Sequence, residues 1–332
     1  MTAARATARF YLGLALLGGV YVVLILAMVL ADLQYTTPGR LWEALQSPEI
    51  RYAIRLSLVS CFVTAVLSLW VAVPLGYLLS RTRFYGKPVL DTIVDIPIVL
   101  PPLVIGLSLL ILFQTSPGRW IEETTATRMG WMLTYLALPT VIAIFSWPLW
   151  RRVVAPVGPL PFVLASAVVV SVVLHLSGLG ARIEGPLQER FGTRITFQVP
   201  SVILAQFAVS CAFAVRTMRV TFDQISPRAE QVALTLGATR GQAFWMVSLP
   251  EAWRGIVTAG TIAWARALGE FGPILIFSGA TRMRTEVLST TVFLELSVGQ
   301  LEAAIAVSLL MVLFAVLVLL VMRTVGWRGG SV

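Results

Sequence analysis

Lysine is almost missing from this chain: Lys87 is the only one among 332 residues. That excludes a self-contained nucleotide-binding P-loop, which needs Gly-x-x-x-x-Gly-Lys-Ser/Thr to cradle phosphate. Lys87 is followed by Pro88, and Arg81 stands where the first glycine belongs. Histidine is as scarce, with His175 alone, and the two cysteines, Cys61 and Cys211, lie in separate apolar stretches. No His/Cys metal cluster can be assembled from this set, and both cysteines read as small buried apolar residues. Charged residues make up 12% of the chain, about half of the roughly 25% usual in soluble domains. Repeats and low-complexity tracts are also lacking. The longest stretch free of an apolar run, about 219 to 254, is too short to fold a core of its own.

What the chain does have is apolar length, with 58% hydrophobic residues. A spanning helix needs about 20 mostly apolar residues. Such runs occur at 10–31, 56–80, 93–114, 131–150, 159–177, 197–218, 255–278 and 301–322. They predict an all-α, polytopic transmembrane helix bundle of about eight spans. The first run follows Arg5 and Arg9 as a signal peptide would. Its apolar core is too long, however, and Val29-Leu30-Ala31 is a poor cleavage site, so an uncleaved span is expected.

Charge gives the orientation. With the N-terminus inside and the spans alternating, the inside segments hold 14 basic and five acidic residues, and the outside segments ten of each. The whole +9 excess then sits on one side, which places both termini in the cytoplasm. No basic helix or patch suggests nucleic acid. Trp131, Trp147 and Trp150 fit an aromatic belt, and His175 an interfacial position rather than a proton relay.

The stretch 226–250 reads as two short helices around a hinge. Ser226 is a good N-cap, Pro227 suits the first helical position, and Glu230 falls in the first turn. The first helix runs through Ala229, Ala233 and Leu236, and Gly237 ends it in a left-handed cap. Thr239-Arg240-Gly241-Gln242 has capping-box spacing and starts a second helix carrying Phe244, Trp245, Val247 and Leu249, which stops near Pro250. This is elaborate for a connector, since spans are usually joined by short loops. A partner-docking element and a connector lying on the membrane surface both remain open from the residues alone.

Inside the seventh run, Arg266 and Glu270 are four apart and share a helix face. Charges at bilayer depth are costly and usually face a bundle interior or an aqueous path. They form either a pathway or gate pair or a mutual ion pair that locks packing. Gly269 and Gly272 beside them permit close approach or a bend. Pro97, Pro101 and Pro102 break the third run, either to line a pathway or as a packing kink.

The row EQVALTLGATRGQAFWMVSLP at 230–250 resembles the EAA loop of ABC importer permeases. Ala233, Gly237, Val247, Leu249 and Pro250 fall on that pattern. Val232 replaces the first alanine, and Gln231 stands at the glutamate position, with Glu230 one place earlier. DIPIVLPPLVIGLSLL at 95–110 and ARALGEFGPILIFSG at 265–279 resemble span signatures of permeases for molybdate, tungstate and sulfate. The resemblance covers roughly 50–115 and 190–325. It implies a single permease domain over 1–332, with an importer core at 56–114 and 197–322. That core is of the six-span type, with a two-span hairpin inserted at 116–185 and joined inside by Arg151 and Arg152. It also implies a multi-pass protein of a bacterial or archaeal cytoplasmic membrane.

The implied partners are a second permease subunit, in a homodimer, two ABC ATPase subunits docked at 226–250, and an extracytoplasmic solute-binding protein. The chain is then no enzyme and carries no cofactor, since ATP binds the partner. The expected site is a coupling loop of Glu230, Ala233, Gly237, Val247, Leu249 and Pro250, with a pathway or gate of Arg266, Glu270, Gly272, Pro101 and Pro102. ALGEFG favours molybdate or tungstate, with sulfate or another small solute as the alternative. A secondary transporter would call for more buried ionisable residues or inverted repeats. A lipid-acting enzyme would call for a His, Asp or Ser cluster at a bilayer face.

Overall fold

The computed structural model describes residues 2–35, 37–140, 142, 159–191 and 194–327. Among these every regular element is helical. The order is α1 (Thr2–Tyr35), α2 (Pro38–Gln46), α3 (Pro48–Arg81), α4 (Lys87–Val99), α5 (Pro102–Gln114), α6 (Ser116–Met132), α7 (Pro159–Leu176), α8 (Leu179–Phe191), α9 (Val199–Gln224), α10 (Arg228–Thr235), α11 (Arg240–Ala243), α12 (Leu249–Glu251), α13 (Trp253–Leu268), α14 (Gly272–Phe277), α15 (Leu288–Ser297) and α16 (Leu301–Trp327). Trp147, Trp150, Arg151 and Arg152 lie outside the described residues.

Four stretches are long and apolar enough to cross a membrane: Tyr11–Tyr35, Pro48–Arg81, Val199–Gln224 and Leu301–Leu320. Among the described residues the number rises to at most six if each of two bent pairs counts as one span: Lys87–Val99 with Pro102–Gln114, bent by 112°, and Ala165–Leu176 with Leu179–Leu187, bent by 94°. The protein is thus an all-α, polytopic membrane bundle.

Individual runs differ from the expectation of straight spans. The run at 93–114 is broken at Leu100–Pro101, because Pro101 and Pro102 supply no N–H and push the preceding residues to extended backbone. Each 13-residue arm is about 20 Å long, short of a 30 Å hydrocarbon core. The run at 255–278 is split into α13 and α14 around Gly269–Phe271. The run at 131–150 is described only as far as Thr140 and at Ile142, and is preceded by α6, a more polar helix that hydropathy alone does not pick out. A π-helical turn, Leu133–Ala137, extends α6. There Tyr135 meets His175 of α7 edge-on at 5.9 Å, and Ser171 Oγ donates to the Tyr135 carbonyl at 2.7 Å.

The centre of the bundle is the parallel pair α3 and α9, in register from Thr64 beside Gln206 to Ser80 beside Asp223. Ser47 caps α3, accepting from the Ile50 N–H at 3.4 Å, and Pro48 takes the first helical position. The face that α3 buries is made of small residues: Ser57, Ser60, Cys61, Thr64, Ala65, Ser68, Ala72 and Gly76. Small side chains let backbones approach closely, the main source of helix affinity in lipid. A Cβ at Gly76 would lie 2.7 Å from Met218 Cβ and 2.9 Å from the Arg219 nitrogen. Around this pair α9 also packs on α13, α4, α5 and α14. By contrast, α1 leans on α16, and its apolar window is unburied.

Hydrogen bonds define the two ends of the bundle. At one end Arg81 donates to the Ile225 carbonyl at 2.8 Å, Ser80 to Asp223 at 2.6 Å, and Arg219 pairs with Asp91 at 2.7 Å. At the other, Tyr52 donates to the Arg284 carbonyl at 2.9 Å, and Arg284 Nε to Gln198 at 3.2 Å. These are the groupings that the charge count assigned to opposite sides of the membrane.

Candidate functional site: a capped loop and two broken helices

At the first end, residues 226–252 form a compact helical hairpin. α10 starts one residue later than expected, with Pro227 at the boundary and the Arg228 N–H donating to Ser226 Oγ at 3.4 Å. It ends as glycine chemistry requires. Gly237 has φ +92°, its N–H reaches the Leu234 carbonyl at 3.1 Å, and Ala238 N–H reaches the Ala233 carbonyl at 3.0 Å. The capping box is present in both directions: Gln242 N–H donates to Thr239 Oγ1 at 3.3 Å, and Thr239 N–H to Gln242 Oε1 at 2.8 Å. Beyond α11 a π-helical turn, Phe244–Ser248, leads into α12.

The hairpin has two faces. Its inner face holds Ala243 and Ser248, both buried, with Ala233, Val247 and Leu249 half-buried. Glu230 also points inward. Tyr77 Oη donates to its Oε1, Ser248 Oγ donates to its Oε2 at 3.0 Å, and Arg81 Nε lies 3.5 Å from the same oxygen. The outer face is apolar and bare: Val232 is 56% exposed, Met246 74% and Leu236 83%. Pro250 is exposed as well. Val232 and Leu236, four residues apart, share one face of α10.

Deeper in the bundle, the two helix breaks meet. Gly272 lies against Pro102, and Gly106 of α5 against Pro273 of α14. The structure therefore brings the expected Pro102 and Gly272 together, with Pro101 at the head of α5. Arg266 Nη1 pairs with Glu270 Oε2 at 2.7 Å; Glu270 is 1% exposed, Arg266 31%. The Arg266 guanidinium also lies 5.6 Å from the Phe213 ring centroid.

Two further residues in this region are uncharged, and reasoning from charge and motif did not single them out. Ending α13 leaves carbonyls without their regular helical partners. Gln206 Nε2 donates to the Ala267 carbonyl at 3.3 Å, and Ser289 Oγ to the Glu270 carbonyl at 2.7 Å. Gln206 is itself held by Thr64 Oγ1 at 3.1 Å. A lone amide within an apolar run is the sequence signal that points to Gln206, since such a group must find a buried partner.

Fold and site together define a polytopic helical membrane protein with a capped helical loop at one end. Residues 160–327 match the family described as binding-protein-dependent transport system inner membrane component, and the chain belongs to that family. It is similar to the sulfate transport system permease protein CysT of Escherichia coli strain K12, 25% identical over 92% of this chain and 86% of the relative. It is also similar to the molybdenum transport system permease protein ModB of Mycobacterium tuberculosis, 28% identical over 85% of this chain and 81% of the relative. The fold matches a chain in the crystal structure of a bacterial ABC transporter that imports the acidic polysaccharide alginate, with TM-score 0.60, 17% identity and complete coverage of both chains.

Proposed function

We propose that this permease forms the translocation pathway of an ATP-driven importer for a tetrahedral oxyanion. Molybdate or tungstate is the preferred cargo, supported by the ALGEFG row and the ModB likeness. Sulfate is the second reading, favoured by the longer alignment with CysT. Two copies of the chain surround one pathway, two ABC ATPase subunits dock below at 226–250, and an extracytoplasmic binding protein delivers the anion above. Both termini lie in the cytoplasm. ATP binds the partner subunits, whose closure moves the docking loops and opens the pathway outward; hydrolysis resets it inward. Pro101, Pro102 and Gly272 form the flexible break beside that pathway, and Arg266 offers positive charge along it while Glu270 holds the guanidinium in place. The extra helices within 116–185 are an insertion into a six-span core.

The observation that carries this proposal is the exposed apolar side chains of a loop whose first helix ends on Gly237 and whose second starts on a capping box. Leu236 is 83% exposed, so Leu236→Glu leaves folding within about 0.5 kcal/mol of the parent but removes the apolar contact. Co-expression with an ABC ATPase subunit of the same organism, followed by co-purification and uptake of radiolabelled molybdate, tungstate and sulfate, tests it. The expected result is capture by the parent chain and loss in the variant. Uptake that persists with no ATPase present defeats the proposal.

A further inference from the structure

Glu230 is the residue on which the loop's pattern and its geometry disagree most usefully. The glutamate position of the matching pattern is occupied by Gln231, which is exposed, as is Val232. A helix turns about 100° per residue. Moving the carboxylate back by one residue therefore rotates it off the outward face and onto the side that meets α3. The structure has it there, with a side chain only 14% exposed.

The carboxylate joins three separate elements. It sits on α10, accepts from Tyr77 and lies by Arg81 at the end of α3, and accepts from Ser248 in the π-helical turn of the second arm. Supporting contacts converge on the same spot. The Phe244 ring lies 4.6 Å from Tyr77, and Tyr77 lies 5.4 Å from Phe222 of α9. Arg81 also holds the Ile225 carbonyl at 2.8 Å, just ahead of the loop. Charge-assisted hydrogen bonds in a partly desolvated place are stronger than neutral ones. One carboxylate thus ties both arms of the loop to α3 by hydrogen bonds, beside the Phe244–Tyr77 ring contact, with the outward apolar side chains left free.

We propose that Glu230 is a positioning residue, a strut that makes the docking loop and α3 move as one body, and not a contact to the ATPase. This rests on the docking role of the loop. Movement imposed on the outer face reaches α3 through Glu230. The close packing of α3 on α9, with Gly76 against Met218, leaves no slack to absorb it. Without the strut, the ATPase still binds and still hydrolyses ATP, but the stroke is lost between the loop and the bundle.

The test uses the full complex in proteoliposomes, reading co-purified ATPase, ATP hydrolysis and transported anion per ATP. Glu230→Ala is expected to keep the ATPase bound while transport per ATP falls about tenfold, and Tyr77→Phe, which removes one donor, to lower it about threefold, in keeping with charge-assisted bonds of this kind. Because both act on one contact, the double variant matches Glu230→Ala instead of multiplying the two losses. Glu230→Gln, which keeps one acceptor oxygen for Tyr77 or Ser248 and turns the other position into an N–H donor, restores part of the ratio. If Glu230→Ala does not insert, Tyr77→Phe and Ser248→Ala carry the test, since each removes one donor to the same carboxylate.

A variant at Glu230 that loses the ATPase while Tyr77→Phe keeps it makes Glu230 a docking contact and overturns the strut. An unchanged transport-to-ATP ratio also overturns it, since a purely structural weld would change stability alone. A parent chain that captures no ATPase overturns the docking role itself and the strut with it.

Discussion

Gly272 and Pro102 touch across the two helix breaks: a Cβ placed on Gly272 would lie 3.1 Å from the Pro102 Cβ and 3.1 Å from the Leu103 nitrogen. Next to it the fit is tighter, since a Cβ on Gly106 would lie 2.7 Å from the Pro273 Cα, which is backbone and cannot swing aside. Gly106→Val therefore forces α5 and α14 apart, at the roughly 1–3 kcal/mol typical of overpacking. Thermal unfolding in detergent is expected to show this loss, with a smaller one for Gly272→Ala. Equal stability in all three proteins would show that the breaks are not in contact.

Gly237 responds to shape rather than space. A Cβ placed there would meet no atom within 4 Å, yet φ is +92°. Gly237→Val is strained by about 1–2 kcal/mol, whereas asparagine tolerates this conformation better. The expected outcome is normal membrane insertion with transport lost in Gly237→Val and largely kept in Gly237→Asn. Equal transport by both variants would remove the backbone argument.

The Arg266–Glu270 pair separates its two roles by a double substitution. Arg266→Ala strands a fully buried carboxylate, and breaking a buried pair on one side costs roughly 3 kcal/mol or more. Replacing both, as Arg266→Met with Glu270→Leu, restores stability because no unpaired charge remains. Radiolabelled anion uptake then decides. Absent uptake in the stable double variant places Arg266 in the pathway, and full uptake reduces the pair to helix packing.

Glu286, in the turn before α15, gives a pH signature. It is fully buried, and burial pushes its carboxyl above the ordinary carboxylate range. Thr291, the Met283 N–H and Arg282 oppose this, while Glu295 adds to it. A raised folded-state value means the folded protein holds the proton longer than the unfolded chain. The stabilisation is complete below the ordinary carboxylate value and is lost as pH rises through the folded one. Glu286→Gln is expected to unfold at a higher temperature than the parent at pH 7, with the gap closing towards pH 4. A gap independent of pH would show that the Glu286 carboxyl binds its proton equally well in the folded and unfolded protein.

The shape of the loop at 226–250 was legible because its instructions are local. Gly237, Thr239 and Gln242 act on backbone within a few residues of themselves, so their turns can be read without knowing the fold. The same holds for the pair of prolines at 101 and 102. The angle they produce, 112°, was not legible, nor was the split of the run at 255–278, because apolar content counts length and ignores direction. Gln206 and Ser289 escaped notice for a related reason: neither is charged, and their partners lie 61 and 19 residues away.

By itself, the chain's order of residues settled the helical, membrane-embedded class, the capped loop and the lack of a P-loop motif. Each follows from composition, charge distribution or short-range backbone sterics. Tertiary structure alone decided that Pro102 meets Gly272, that Gln206 holds the Ala267 carbonyl, and that the Glu230 carboxylate turns inward to Tyr77 and Arg81. Those outcomes depend on which helices pack against which, a long-range choice made by small-residue faces such as the one along α3. No local pattern encodes which partner such a face will choose.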